Sequence, residues 1–362
     1  MDGGNVFLTL LEKFAPASVP PWLLALTAAG VGVGILIAIV SVIAMFSVWL
    51  ERKVSGHIQC RYGPMYVGGW HGWAQSIADG VKLLMKEDLV PLGADRPLFM
   101  LAPAIVLASI FGALVAMPLT PAIYFADVNL GLFLILAMSS MTTIGVVMAG
   151  WASNSKWSLY GAMREAAQVV AYEIPLGISL LVPLIVVGTL NLREASVQQS
   201  GWFGMHWLIF QNPFVLPAFV LFFIAALAET KRAPFDLPEA ESELVAGFMT
   251  EYSGIRWSFF FMEEYAAMFL MSVVAAIFFL GGFESPVTHL ARVQFGEGHF
   301  VYEVVAGSVL VVKSMFGVFL MMWLRWTLPR VRIDQVMSMG YKYLTPLALV
   351  CVLGAGIWEA IF

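Results

Sequence analysis

The stretch W-L-L-A-L-T-A-A-G-V-G-V-G-I-L-I-A-I-V-S-V-I-A-M-F-S-V, residues 22–48, has 27 residues and no charged side chain. A hydrocarbon core about 30 Å thick takes about 20 helical residues at a rise of about 1.5 Å each. The stretch can therefore cross a bilayer. It has no basic leader and no small-residue cleavage site, so it is predicted to be a retained helix and not a signal peptide.

Seven further apolar runs follow. The composition also indicates a membrane protein, because 60% of the residues are hydrophobic and only 12% are charged. That charged fraction is about half of what soluble domains carry. The sequence therefore predicts an all-α polytopic membrane protein, with residues 1–362 as a single transmembrane domain of about eight spans. The runs after Trp22–Val48 are Leu98–Met117, Leu130–Trp151, Ala166–Leu190, Phe214–Leu227, Phe259–Phe283, Val304–Trp326 and Leu344–Phe362, the fifth span being the shortest.

Lysine and arginine are distributed unevenly between the two sides that these runs define. Fifteen of the 19 basic residues lie in the odd-numbered loops, against Lys13, Arg193 and Arg292 on the other side and Lys313 inside the seventh run. By the positive-inside rule the odd-numbered loops are cytoplasmic, and both termini face away from the cytoplasm. The predicted cytoplasmic loops are residues 51–96, 152–165, 229–257 and 327–343.

The first cytoplasmic loop contains an amphipathic pattern between Trp73 and Asp88. Its apolar residues recur at helical spacing while Asp79, Lys82 and Lys86 follow a different stripe. The pattern predicts a helix that lies in the plane of the interface. Taken alone, it fits a simple interfacial brace equally well.

The sequence offers few ligands for a redox cofactor or a metal ion. Cys60 and Cys351 form no C-x-x-C pair, which argues against an iron-sulfur cluster or a structural zinc in this chain. The five histidines all lie between the apolar runs, whereas a membrane haem takes ligands within them. The glycines of G-V-G-V-G at 30–34 follow no strand and are interpreted as helix-packing residues, not a nucleotide fingerprint.

Glu173 is unusual because it stands inside the fourth apolar run. A charge near the centre of a membrane helix costs about 2.5–3.5 kcal/mol, and such residues commonly face a bundle interior, a polar cavity or a proton path. The alternative is a glutamate near the cytoplasmic end of the helix, paired with Arg164 or with a partner subunit.

A second acidic group follows the fifth run, where Pro234 and Pro238 predict a re-entrant loop in place of a straight helix. If Glu239 and Glu243 shared a helix, they would be like-charge neighbours that need a proton or a cation between them. A solvated acidic loop is the competing interpretation. The carboxylates of this group are Glu229, Asp236, Glu239, Glu241, Glu243 and Glu251.

Five strings, in order, carry a resemblance that covers nearly the whole chain. The chain resembles the eight-helix membrane subunit of proton-pumping NADH:quinone oxidoreductase, or Complex I, which mitochondria encode as the first NADH dehydrogenase subunit. The strings are E-R-K-V-S-G-H-I-Q-C-R-Y-G-P at 51–64, A-D-G-V-K-L-L-M-K-E at 78–87, R-E-A-A-Q-V-V-A-Y-E-I-P at 164–175, A-E-T-K-R-A-P-F-D-L-P-E-A-E-S-E-L-V-A-G-F at 228–248 with E-Y-S-G at 251–254, and R-W-T-L-P-R-V-R-I-D-Q at 325–335.

The resemblance implies a respiratory-chain translocase in which this chain carries no electrons. FMN and iron-sulfur clusters on partner subunits pass electrons to quinone, either ubiquinone or menaquinone, which is the substrate. The first loop, the interfacial helix and spans one and six then frame the opening of the quinone chamber. By family position Arg52, Gln59, Arg61 and Asp79 belong to that opening, and Arg232 is counted with the quinone-binding residues.

The resemblance also implies a proton relay and a set of neighbours. The neighbours are hydrophilic quinone-site subunits, small and antiporter-like membrane subunits and lipids, with no nucleic acid. Lys313 matches a family lysine and is expected to face the bundle. The relay residues would be Glu173, Glu229, Asp236, Glu239, Glu241, Glu243 and Glu251, with Glu263 less securely placed.

Two other functions remain open on sequence grounds. Intramembrane acids and a proline-broken span also suit an independent proton-coupled transporter, although no clear internal repeat is visible. Related subunits also occur in energy-converting hydrogenases and in quinone reductases fed by deazaflavin or ferredoxin. The string at 228–248 favours a quinone enzyme, but the electron donor is not encoded in this chain.

Overall fold

Helices account for the regular structure of this chain. The structure is a computed structural model that describes residues 20–361, apart from the side chains at positions 202, 203, 241 and 242. Lys13, Phe362 and the side chain of Glu241 therefore lie outside the described residues. Within the described range the chain forms no extended strand, only one isolated bridge between Pro118 and Tyr124.

Between residues 20 and 361, fifteen α-helices follow one another in chain order. They are α1 Pro21–Ile58, α2 Gln75–Met85, α3 Arg96–Leu114, α4 Gly131–Ala152, α5 Lys156–Val187, α6 Leu192–Val197, α7 Gly201–Gly204, α8 Leu208–Gln211, α9 Val215–Glu229, α10 Glu241–Leu244, α11 Gly254–Phe279, α12 Pro286–Phe295, α13 Phe300–Thr327, α14 Ile333–Ser338 and α15 Thr345–Ile361. A π-helical turn, Met339–Leu344, joins the last two into one continuous helix.

Within the part of the chain that the structure describes, seven helical segments are long and apolar enough to cross a membrane. They are α1, α3, α4, α5, α11, α13 and the continuous segment Ile333–Ile361. The one remaining predicted span, the fifth in chain order, is α9. Its 15 residues make a helix of about 22 Å at about 1.5 Å per residue. The all-α polytopic fold is confirmed, and the fifth span is indeed the shortest.

Three helices begin or end well inside loops that the sequence predicted to be cytoplasmic. The predicted loop 51–96 opens on the last residues of the 38-residue helix α1, which ends at Ile58. The loop 152–165 is helical from Lys156 onward, so Arg164 and Glu165 belong to α5. The loop 327–343 contains α14. Hydropathy detects where apolar residues stop, whereas a helix continues wherever its charged residues find partners, so helical structure extends into these predicted loops.

Helix α11 is the centre of the bundle, with 89% of its most apolar window buried. It packs against α1, α3, α9 and α13. Between Ala266 and Phe279 its own side chains are buried on every side of the helix and nearly all are apolar. This is the pattern of a helix with no solvent-exposed face. Its first turns carry Glu263 and Glu264, both buried, at the end where the chain leaves the loop after α9.

The amphipathic helix of the first loop is confirmed as α2, which packs against α1 and α11. Its other side leaves Val81, Leu84 and Met85 largely exposed. Arg256 at the start of α11 pairs with Asp88 just beyond α2, at 2.9 Å. This pair fixes the end of α2 beside the central helix.

The segment between α9 and α11 is a buried, non-helical loop through residue 240, as the two prolines predict. Gly247 packs here in a left-handed conformation, φ +52°, where a β-carbon would collide with the carbonyl oxygen of Pro238. Glu239 precedes the short helix α10 and does not share it with Glu243, so the condition for a like-charge helical pair of these two acids is not met.

Lys313 of α13 points toward the bundle, as expected. Its ammonium group donates to the carbonyl oxygens of Leu280, Gly282 and Glu284, at 2.6, 3.0 and 2.6 Å. These carbonyls follow the end of α11, so the lysine caps that helix and holds α13 against it.

Candidate functional site

Six ionisable side chains meet where α1, α5, α11 and the loop after α9 converge. Their side chains are between 0 and 7% exposed. Isolated charges are very costly to bury, so a group of this kind persists only through pairing and hydrogen bonds. We call this group the buried ion cluster, and its members are Glu51, Glu165, Lys231, Arg232, Glu263 and Glu264.

Lys231 forms one half of the cluster. Its ammonium group lies 2.9 Å from a carboxylate oxygen of Glu165 and 3.3 Å from one of Glu263. Burial alone would lower the pKa of Lys231, but the two carboxylates outweigh burial and hold that pKa above its ordinary range. The lysine therefore stays charged between two acids contributed by α5 and α11.

Arg232 forms the other half. Its Nη1 donates to both carboxylate oxygens of Glu51 at 2.9 Å, and its Nε lies 2.5 Å from Glu264. Burial disfavours the charged guanidinium, yet these two acids raise the pKa of Arg232 further above its usual value. The guanidinium also lies 4.4 Å from the ring of Tyr265, a cation–π contact.

Glu51 is the most heavily hydrogen-bonded acid of the cluster. Besides Arg232, it accepts hydrogen bonds from Tyr265 at 2.6 Å and from Arg325 of α13 at 2.6 Å. One carboxylate on α1 thus joins α11, α13 and the loop after α9. Charge-assisted bonds of this kind are about twice as strong as neutral ones.

The loop that supplies Lys231 and Arg232 is held from both sides. Gln168 of α5 donates to the carbonyl oxygen of Ala228 at 2.7 Å. From the other side, Arg330 pairs with Asp236 at 3.2 Å, and the amide of Val331 donates to the carbonyl of Pro234 at 3.0 Å. The residues after α13 therefore close over the loop.

Glu239 lies half-buried in the same loop. Burial raises the pKa of its carboxyl well above the ordinary range, and the charges of Glu264 and Asp236 raise it further against the opposing Arg232 and Lys231. A carboxyl in this setting holds its proton at pH values where a solvated glutamate is ionised.

Glu229 and Glu173 extend the acids beyond the cluster. Glu229, at the last position of α9, is buried, and its Oε2 has no hydrogen-bond partner among the described residues. It lies within electrostatic range of Glu173, Lys231, Glu165 and Glu263. Glu173 accepts a hydrogen bond from Ser140 of α4, whereas Arg164 pairs with Glu243.

The remaining predicted acids lie apart from the cluster. Glu243 is half exposed and pairs with Arg164 at 2.6 Å. The hydrogen bond and the charge of that guanidinium lower the pKa of Glu243. Glu251 is half-buried and takes part in none of the ion pairs described above. Glu243 therefore lies at the surface, outside the buried ion cluster.

The predicted quinone-binding residues divide into two groups. Arg52 pairs with Asp79 at 2.5 Å, which ties α1 to α2, and Arg61 donates to Gln59 at 2.6 Å just past the end of α1. Arg232 lies elsewhere, inside the buried ion cluster.

A cavity of about 230 Å³ separates α2 from the central helix, and we call it the entrance cavity. Asp79 and Gly80 of α2 form one wall, and Tyr265 of α11 lies at another. Tyr265 is also the donor to Glu51, so the cavity reaches the buried ion cluster through this one side chain. The other lining residues are Ser41, Ala44, Met45, Val48, Ser76, Leu83, Leu84, Ile255, Ser258, Phe261 and Met262.

Several residues of the cluster were missed by the sequence analysis. Glu51 and Glu165 fell in or beside predicted loops, where an acid is unremarkable, and Glu264 was passed over beside Glu263. A usable signal was present, since each acid adjoins an apolar run and the chain offers Lys231, Arg232 and Arg325 as partners. Tyr265 gave no such signal, because only the packing of α11 brings it to Glu51.

The described residues offer little to a metal or an iron-sulfur cluster. Among residues 20–361 no group of three or more His, Cys, Asp or Glu side chains is arranged to hold a metal ion. Cys60 is exposed in the first loop, whereas Cys351 is buried in α15. Iron-sulfur clusters commonly need four thiolates, which these two cysteines do not supply.

Comparisons with known proteins agree with the resemblance. The family model described as NADH dehydrogenase matches residues 31–355. The H subunit of NADH-quinone oxidoreductase from Chlorobium luteolum is 43% identical over 98% of this chain and 94% of its own length. The corresponding protein of a Geobacillus strain, WCH70, is 45% identical over 95% of this chain and 98% of its own length. That of Chlorobaculum parvum is 44% identical over 86% of this chain and 87% of its own length.

These matches span the helices and the loops that build the buried ion cluster. Such identity over nearly full length confirms the resemblance and disfavours an independent transporter. The chain therefore belongs to the NADH dehydrogenase family, as a multi-pass bacterial membrane subunit of NADH-quinone oxidoreductase.

Proposed function

We propose that this subunit admits quinone from the membrane through the entrance cavity and couples quinone reduction to proton translocation through its buried acids. One observation carries the proposal: the entrance cavity and the buried ion cluster share Tyr265, which lines the first and donates a 2.6 Å hydrogen bond into the second. The entrance cavity and the group of buried charged side chains are thus adjacent.

The lining of the entrance cavity suits a lipid-soluble quinone. Most of its residues are apolar, including Leu83, Leu84 and Phe261, and polar groups occur at few points. Ligand sites commonly combine an apolar lining with a few polar groups that fix orientation. An isoprenoid tail would lie along the apolar wall, while the Arg52–Asp79 pair borders the passage on the side of the first loop.

Reduction of a quinone to a quinol consumes a pair of electrons and a pair of protons. The electrons would come from NADH through FMN and iron-sulfur clusters on hydrophilic partner subunits, as the resemblance implies. The protons must come from nearby groups or water. Withdrawal of positive charge near Tyr265 would change the electrostatic interaction between Glu51 and Arg232. That interaction is strong, and sensitive to nearby charge, because both side chains are shielded from water.

The acids beyond the cluster would carry that change onward. Lys231 lies between Glu165 and Glu263, and Glu229 interacts electrostatically with both this lysine and Glu173. Charges this close in a dry environment titrate together, so a change at one position shifts proton occupancy at the next. Glu173, on the α4–α5 side, would hand the signal to neighbouring membrane subunits. Asp236 and Glu239 would serve as side groups of this row of acids, with Glu241 and Glu251 as its outer members, whereas Glu243, in its surface pair with Arg164, would lie outside it.

The proposal includes an orientation and an extent. The loops that hold the cluster would face the cytoplasm, where the hydrophilic subunits dock, and both termini would face the other side. Residues 1–362 would act as one transmembrane domain, because α11 packs against helices from both halves of the chain.

A photoreactive quinone tests the entrance directly. The complex, purified by a tag on this chain, would be labelled with an azido-quinone and digested, and the labelled peptides identified. We expect labelling within residues 41–48, 76–84 and 255–265, and protection by excess natural quinone. Labelling confined to other parts of this chain, or unaffected by quinone, would overturn the proposed entrance.

A further inference from the structure

A second and larger cavity adjoins the entrance cavity along α1, and Met45 and Ser76 line both. Its volume is about 590 Å³, within the range of about 300–1,000 Å³ that small-molecule sites occupy. We call it the aromatic cavity, because Phe46, Trp49, Trp70 and Trp73 line it. It touches no member of the buried ion cluster, so the proposed quinone function leaves it unexplained.

The polarity of the aromatic cavity changes along its length. Val42, Phe46, Trp49, Lys53 and His57 recur at intervals of three to four residues on α1 and thus form one stripe of that helix. From Val42 to His57 the stripe rises about 22 Å at about 1.5 Å per residue. Its deep end is apolar, its middle is aromatic and its outer end is basic, which is the order of groups that a phospholipid requires of its site.

The aromatic residues of the cavity lie between its apolar end and its basic end. Trp49 donates its indole N–H to the carbonyl of His71 at 3.2 Å, and Trp73 donates to that of Gly68 at 3.0 Å. The indole donors are thus satisfied within the protein, and the rings offer mainly apolar surface to the cavity. Tryptophan is enriched where acyl chains meet headgroups.

The charges of the cavity favour an anion. Lys53 and His57 both line it, and no acidic side chain does so among the residues that the structure describes. The entrance cavity differs, because Asp79 lines it. The ammonium group of Lys53 is held at the rim by the carbonyl oxygen of Pro64 at 2.5 Å. A lysine fixed in this way is a suitable point charge for a phosphate.

We propose that the aromatic cavity binds an anionic phospholipid of the cytoplasmic leaflet, with its phosphate near Lys53 and His57 and an acyl chain against Val42 and Phe46. A neutral quinone headgroup would gain little from two basic groups. Each Lys or Arg near an anionic membrane surface contributes about 1 kcal/mol of attraction, so the basic rim distinguishes anionic from zwitterionic lipid.

Photoreactive lipids test the site in the intact complex. The purified complex would be placed in phosphatidylcholine nanodiscs that contain a small fraction of diazirine phosphatidylglycerol, or of diazirine phosphatidylcholine in a parallel sample. We expect phosphatidylglycerol to label peptides 42–57 and 70–77 several-fold more strongly, roughly the fivefold that about 1 kcal/mol gives. Equal labelling by both lipids would mean an ordinary lipid-facing surface and would overturn the proposal.

A charge variant and a matched control sharpen the test. The double substitution Lys53→Gln with His57→Gln should abolish the preference for phosphatidylglycerol, whereas Lys342→Gln, at an exposed lysine on the last helical segment, should retain it. Displacement of the lipid label by excess quinone at unchanged lipid composition would assign the cavity to quinone and also overturn the proposal.

Discussion

Arg232 binds both carboxylate oxygens of Glu51 at 2.9 Å, although 181 residues separate them. The contact joins the first span to the loop after α9 at a point where both side chains are almost fully shielded from solvent. Removing one partner of a buried pair leaves an uncompensated charge, at a cost of about 3–5 kcal/mol.

The first prediction follows from this pair. Arg232→Gln should lower the amount of assembled complex and its melting temperature, and Glu51→Gln should do the same. The double variant should recover part of the loss, because it removes both charges together.

The matched control is Arg332→Gln, which breaks the exposed pair with Asp334. Exposed pairs contribute about 0–1 kcal/mol, so this variant should melt like the unmodified complex. Equal melting temperatures for Arg232→Gln and Arg332→Gln would show that the buried pair does not stabilise the fold.

The second prediction concerns Tyr265. Tyr265→Phe keeps the ring but removes the hydrogen bond to Glu51, which for a charged acceptor contributes about 1.5–3 kcal/mol. We expect NADH-driven quinone reduction to fall about tenfold or more if this contribution is expressed at the transition state. Reduction of a water-soluble acceptor that bypasses the membrane subunit should not change. An unaltered quinone rate would remove Tyr265 from the proposed link.

The third prediction uses Gly80, which lines the entrance cavity and has open space where a β-carbon would be added. Gly80→Phe should fill the opening. The substitution should not weaken α2, because glycine itself disfavours a helix by about 1 kcal/mol relative to alanine. The KM for a long-tailed quinone should rise, and a short-tailed analogue should be less affected. Gly80→Ala is the control, since a methyl group leaves most of the opening free. If both variants keep the normal KM, quinone enters elsewhere.

The fourth prediction is a pH dependence at Glu239. The pKa of this carboxyl is raised in the folded protein, chiefly by burial, so the folded state favours the protonated form. Its contribution is present at low pH and is lost as the pH rises through the folded pKa. Glu239→Gln cannot ionise, and the variant complex should lose less melting temperature than the unmodified one between neutral and alkaline pH. Parallel melting curves across that range would contradict this assignment.

How much the sequence predicts depends on the kind of interaction. The spans follow from apolar runs, and α2 from its two stripes, because both patterns are local. The loop after α9 follows from Pro234 and Pro238. The sequence does not predict the partners of Glu51 and Glu165, because their pairs with Arg232 and Lys231 depend on how helices pack across the bundle.

The acid string at 228–248 illustrates the limit most clearly. Composition alone gives Glu229 and Glu243 the same standing, but folding buries the first and leaves the second half exposed beside Arg164. Position relative to the bundle, and not residue type, separates a proposed relay residue from a surface pair.

Proton translocation tests the central claim most directly. The complex would be reconstituted into liposomes, and the protons moved per NADH oxidised would be measured for Glu165→Gln and Glu229→Gln, with Glu297→Gln as the exposed control. We predict that the two buried variants assemble but move fewer protons per NADH, or lose quinone reduction together with pumping, while the control matches the unmodified complex. Full quinone reduction together with full proton translocation in both buried variants would contradict the relay.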